Sequence, residues 1–198
     1  MSATAITRDV AIARGRALKT ANALTAVLCG WLPAIAICFF SRPSWGKWIV
    51  GLVLGLLWAT WFEYAYHRFL LHLPGTFFAK EHLRHHMSVD TPAEAEHLNL
   101  GGHPIYVVVL FVVNGLPVIA ADLLLKLGLA PGTLIAFSIY FVTTEEFHWR
   151  IHLNEWLPPG FRRARAYHLS HHDRPDARFN IFLPLWDILL GSAKFKKS

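Results

Sequence analysis

The stretch Lys80–Ser88, KEHLRHHMS, puts His82, His85 and His86 within five positions, and Tyr167–Pro175, YHLSHHDRP, repeats the pattern at His168, His171 and His172. On a helix each residue advances about 100°, so the positions three and four beyond His82 fall about 60° to one side and about 40° to the other. All three imidazoles of each triplet then share one helix face. His148 and His152 in HWRIH are one turn apart and also face together. The pair His67 and His72 in HRFLLH differs, because five residues on a straight helix diverge by about 140°. Either the helix is distorted there or the two rings reach different metal ions, and the number of imidazoles favours the second.

The rest of the chain sets these clusters beside a membrane. Of 198 residues 54% are hydrophobic and only 16% charged, too little polar side chain to coat a water-soluble globule. Four stretches, about 21–41, 48–66, 104–121 and 127–147, are each close to the roughly 20 residues that cross a bilayer as a helix. The predicted fold is an all-α integral membrane protein, a single domain over 1–198, with four transmembrane helices. A helical cap from 67–103 and 148–191 would hold the histidines. The first span is too long for a signal-peptide core and lacks a clear cleavage site. Pro33 and Pro117 interrupt two spans and predict kinks.

Orientation follows from the basic residues. Sixteen of 19 Lys and Arg lie in the leader, the 67–103 segment and the tail, leaving only Arg42, Lys47 and Lys126 in the two opposite turns. By the positive-inside rule both termini and the histidine clusters are cytoplasmic. The net charge of +6 flanks spans and suits anionic lipid headgroups, so nucleic acid is not an expected partner. The apolar pieces LPGTFF, NEWLPPGF and NIFLPLWDILLG read as segments lying in the interface. Cys29 and Cys38 are about 13 Å apart along one helix and cannot bridge.

All 12 histidines fall on that one face, whereas a transport path would place ionisable groups near the bilayer midplane. One structural zinc uses about four ligands, often including thiolates. Ten imidazoles from four clusters suit two ions of five nitrogens each, with an open position for oxygen. Neutral imidazoles leave the charge of two divalent ions uncompensated, which favours a bound oxide or hydroxide or a nearby carboxylate. Glu63, Glu145 and Asp187 are the candidates for that outer role. His97 reads as an ordinary loop residue.

The strings EYAYHRFLLH, EHLRHH, HWRIH and YHLSHHDRPDARFNIFLPLWDILLG, spread over residues 63–191, resemble the fatty acid hydroxylase and sterol desaturase superfamily of membrane di-iron enzymes. Arg68, Pro184, Leu185, Trp186 and Gly191 also look like family positions. The resemblance implies metal-ligand roles for His67, His72, His82, His85, His86, His148, His152, His168, His171 and His172. His103, followed by Pro104, resembles a His-Pro of the sterol-modifying branch and is a candidate eleventh ligand.

The implied activity is an oxidoreductase that hydroxylates an unactivated C–H bond of a lipid, a fatty acyl chain first, using two iron ions, with zinc an alternative occupant of the isolated protein, and O2 as co-substrate. Sterol or carotenoid hydroxylation and desaturation are alternatives within the superfamily. No fused haem domain is expected, so electrons come from a separate ferredoxin, cytochrome or reductase. Outside the superfamily, a haem protein with paired axial histidines leaves most of the histidines unused. A non-catalytic metal-binding membrane protein is the other rival.

Overall fold

In a computed structural model of the chain, residues 6–100 and 102–194 are described, and among these the regular structure is entirely helical. The long helices are α1 (Arg8–Ser41), α2 (Trp45–Ala65), α4 (Pro104–Leu125) and α5 (Ala130–His152). Between and after them come a π turn (Tyr66–Leu71), α3 (Phe77–Ser88), a 3-10 turn (Glu94–His97), α6 (Arg162–Asp173) and the short α7 (Leu185–Leu189).

Three helical stretches, Arg8–Ser41, Trp45–Leu71 and Pro104–Leu125, are long and apolar enough to cross a membrane. At most 28% of each apolar window is buried inside the protein, so most of those side chains face outwards, as contact with lipid requires. Helix α5, expected as a fourth span, is not among them. Its sequence mixes Thr133, Ser138, Thr143, Thr144, Glu145 and Glu146 into the apolar run, and Leu134, Ala136, Phe137 and Tyr140 are buried against protein.

Helix boundaries also move. Charges at Arg14, Arg16 and Lys19 set the expected start of the first span near residue 21, yet α1 begins at Arg8. Those charges are accommodated without a break: Arg14 pairs with Glu96 at 3.0 Å and Lys19 with Glu146 at 2.5 Å. Pro33 and Pro117 lie inside α1 and α4, which continue through them.

The chain divides into two compact units. One, Thr20–Ala59 with Gly101–Thr143, is helical, and its helices approach closely at glycines. A Cβ on Gly51 would lie 2.3 Å from the Leu129 carbonyl oxygen and one on Gly55 2.5 Å from that of Thr133. Small residues one turn apart let two backbones meet, the usual device where no water drives helices together. Thr133 Oγ1 then donates to Gly51 O at 3.2 Å and Ser138 Oγ to Ala26 O at 2.9 Å. Buried Asp122 of α4 accepts from Leu129 N and Ala130 N at 2.6 and 3.1 Å, supplying the first turn of α5 with an acidic cap. Cys29 and Cys38 are both free.

The other unit comprises Met1–Lys19, Thr60–Leu100 and Thr144–Ser198 and contains all four histidine clusters. Its core packs Ala11, Ala95, Leu98 and Trp149 together. Gly15 is obligatory there, because a Cβ would lie 2.0 Å from Ala95 O. What read as a basic leader is thus a structural element that pins the segment before α4.

Replacing Gly55 with Val should cost about 1–3 kcal/mol through overpacking against the Thr133 backbone. The check is the melting temperature of the detergent-solubilised protein, which should fall clearly below that of the wild type; an unchanged value would contradict the packing described.

Candidate metal centre

Helix α3 starts where Thr76 Oγ1 accepts from Ala79 N at 3.1 Å, a side-chain cap that sets the register of His82, His85 and His86. Helix α6 sets His168, His171 and His172. His148 and His152 occupy the last turns of α5, whose end is held by Arg165 donating to the carbonyls of Arg150 at 3.0 Å and Ile151 at 3.3 Å, and to that of Glu155.

The ten imidazoles gather into two groups of five. His67, His72, His82, His86 and His171 form one, and His85, His148, His152, His168 and His172 the other; within each group the ligand atoms lie within 4.8 Å of one another. Each triplet therefore divides between the groups. The pair four residues apart, His82 with His86 or His168 with His172, goes to one side, and the third ring, His85 or His171, crosses to the other. The shared face of a triplet is broad enough to serve both groups.

His67 and His72 meet in a single group, contrary to the reading that sent them to different ions. The reason is the π turn at Tyr66–Leu71. It closes hydrogen bonds from i to i+5, so residues five apart return to nearly the same face, and the distorted helix end is the alternative that the chain adopts.

All ten rings present Nε2 to a neighbour. The contacts are His67–His82 at 3.1 Å, His82–His86 at 3.0 Å and His72–His171 at 3.2 Å in the first group, and His85–His148 at 3.1 Å, His152–His168 at 3.1 Å and His168–His172 at 3.2 Å in the second. Two imidazole nitrogens each about 2.1 Å from one ion, at right angles, are separated by about 3.0 Å. The spacing fits adjacent ligands of a metal ion, and the all-nitrogen donor set suits iron, zinc or copper.

Four rings are fixed from behind through Nδ1–H. His67 donates to Phe179 O, His171 to Ala177 O at 2.7 Å, His148 to Leu98 O at 2.8 Å and His152 to Glu94 Oε1 at 2.9 Å. With the proton on Nδ1, Nε2 keeps its lone pair for a metal. Burial, and then the other histidines, hold the rings neutral: the pKa of His72 falls to about 4 and that of His86 to about 3. Burial takes that of His152 to about 4 and those of His82, His85, His148 and His168 well below 6.5.

A fatty acid hydroxylase model matches residues 52–192, most of the chain and every one of the ten. The chain belongs to the fatty acid hydroxylase family. It is an oxidoreductase. Two dihydroceramide fatty acyl 2-hydroxylases of Arabidopsis thaliana are similar to this hydroxylase. One is 27% identical over 85% of this chain and 72% of the relative, the other 28% identical over 82% and 70%. Among solved structures, full-length scs7p, with only its hydroxylase domain visible, superposes with a TM-score of 0.61 at 26% identity, covering 87% of this chain and 68% of the other.

None of the carboxylates expected near the metals enters either group of the hydroxylase, but two of them shape it. Asp187 is fully buried and accepts from Phe179 N at 3.0 Å, Asn180 N at 2.8 Å and Ser192 Oγ at 2.8 Å. Glu63 accepts from Asn180 Nδ2 at 2.7 Å and Ile181 N at 3.0 Å. Together they fix the tail segment whose Ala177 and Phe179 carbonyls hold His171 and His67. Glu145 is buried in α5, three residues before His148. His103 lies in neither group; it is exposed and caps α4, its Nδ1 accepting from Ile105 N at 3.4 Å. His97 is also outside both. Sequence reasoning missed Glu94, because the segment Val89–His97 carries no periodic pattern and nothing local ties it to His152.

The pKa shifts fix the sign of a pH effect. The unfolded chain binds protons at its histidines below about pH 6.5, while the folded hydroxylase resists doing so until roughly pH 4, so stability falls as pH drops through that window. The melting temperature of metal-stripped protein should be flat above pH 7 and decline steadily from pH 6.5 to 5; a rise on acidification would contradict the buried neutral rings.

Proposed function

We propose that the two groups of five Nε2 atoms each hold one iron ion and that the enzyme hydroxylates a fatty acyl chain, with O2 as co-substrate and a separate ferredoxin, cytochrome or reductase as electron donor. The observation that carries this is the convergence of ten neutral imidazoles as two sets of adjacent ligands with no thiolate among them. When bound, the metals supply oxygen activation and the one-electron chemistry needed at an unreactive C–H bond. The same nitrogens would accept zinc in isolated protein.

The protein's part is to hold the ligands and seat the substrate. Backbone carbonyls and Glu94 keep the anchored rings in one tautomer, and burial keeps them unprotonated near neutral pH. Exposed apolar side chains lie on the elements that carry the first group: Phe69 and Leu70 on the π turn and Phe77, Leu83 and Met87 on α3. Such a surface suits an acyl chain that approaches from lipid and need not cross water. The acyl 2-hydroxylase relatives favour a fatty acyl substrate over a sterol or carotenoid, and hydroxylation over desaturation.

The topology proposed with this activity has four spans, α5 included, with both termini and the metal-binding segments on the cytoplasmic side. The excess of Lys and Arg in those segments supports it.

The test is lipid mass spectrometry of cells expressing wild type, His85→Ala or His97→Ala. Wild type and His97→Ala should yield acyl species heavier by one oxygen atom, and His85→Ala none. Hydroxylated lipid at the wild-type level in His85→Ala would overturn the assignment; species lacking two hydrogens would redirect it to desaturation.

A further inference from the structure

The two groups are built alike in front and differently behind. In the first, the acceptors behind the rings are both peptide carbonyls, Phe179 O for His67 and Ala177 O for His171. In the second, one is Leu98 O behind His148 and the other is the Glu94 carboxylate behind His152. A carboxylate on the far nitrogen makes an imidazole a stronger ligand than a neutral acceptor does, and losing such a partner costs about 10- to 100-fold in metal affinity. Burial differs in the same direction. In the second group only His172 is partly open, whereas in the first both His72 and His86 are.

Glu94 also stands at a boundary. Its other oxygen accepts from Asp90 N at 3.2 Å, and a cavity of 330 Å3, lined by Arg8, Asp90, Thr91 and Asn154 among others, opens against it. The Glu94 side chain is 10% exposed and that of His152 is fully buried, so the carboxylate lies between solvent and the ring.

We propose that Glu94 is a positioning residue that makes the two metal positions unequal, the one ringed by His85, His148, His152, His168 and His172 being held the more firmly. The inference rests on the two-metal reading. Glu94 acts through His152 and is not itself a ligand.

The experiment uses the full chain in detergent, loaded with zinc and challenged with excess EDTA, with the released metal counted over time. Wild type should release one equivalent quickly and one slowly. Glu94→Gln keeps an amide oxygen for His152 Nδ1–H but removes the charge, so its slow phase should accelerate about 10-fold or more. Its fast phase, and the melting temperature of the stripped protein, should stay at wild-type values. Equal effects on both phases, or release indistinguishable from wild type, would overturn the inference. If Glu94→Gln does not accumulate, wild type alone decides, since two zinc ions leaving in a single phase contradict unequal positions. Wild type that takes up no zinc at all would sink the two-metal reading, and the inference with it.

Discussion

Ten imidazoles gathered together, seven of them buried, and kept neutral are the constraint on which the metal-binding unit depends. A buried charged imidazole would repel its neighbours and lose its hydration, and an imidazole turned the wrong way would offer a proton where a lone pair is needed. For four of the ten the chain meets this by fixing the tautomer from behind. Phe179 O, Ala177 O, Leu98 O and Glu94 each take an Nδ1–H, and each belongs to a segment that is itself held. Asp187 and Glu63 clamp the tail that carries Ala177 and Phe179, and the packing of Gly15 on Ala95 steadies the segment that carries Glu94 and Leu98.

Interleaving makes the two groups one structural unit. Because His85 leaves its triplet for the second group and His171 leaves its own for the first, neither α3 nor α6 can shift without disturbing both sets. The π turn has a related role. It costs regular hydrogen bonding at the end of α2, and in return it brings His67 and His72 to the same side; such turns concentrate at functional sites.

Much of this was legible in the sequence, and the failures have physical causes. The ten residues were readable from spacing and family resemblance, since i, i+3 and i+4 positions share a face on any helix. Which ring joins which group was not, because a face about 100° wide leaves that choice to the packing of α3 against its neighbours. The His67–His72 spacing of five posed the choice between a bent helix and two separate ions, and backbone geometry selected the first. The apolar run marked a span from about residue 21 but not the start of the helix that carries it, because Arg14 and Lys19 are paired within the protein and α1 continues through them. Apolarity alone does not single out α5 as it does the other long helices, since several of its side chains are buried against protein and its polar residues reach hydrogen-bond partners there. Glu94 was out of reach, since its importance lies in a contact 58 positions along the chain.

The central claim is that the imidazoles form two five-nitrogen metal sites. X-ray absorption at the iron edge of reconstituted protein, with metal content measured on the same sample, tests it most directly. Two irons per chain are expected, each with an inner shell of about five nitrogen or oxygen neighbours near 2.1 Å and no sulfur. One iron per chain, a sulfur neighbour, or the scattering pattern of a porphyrin would contradict it.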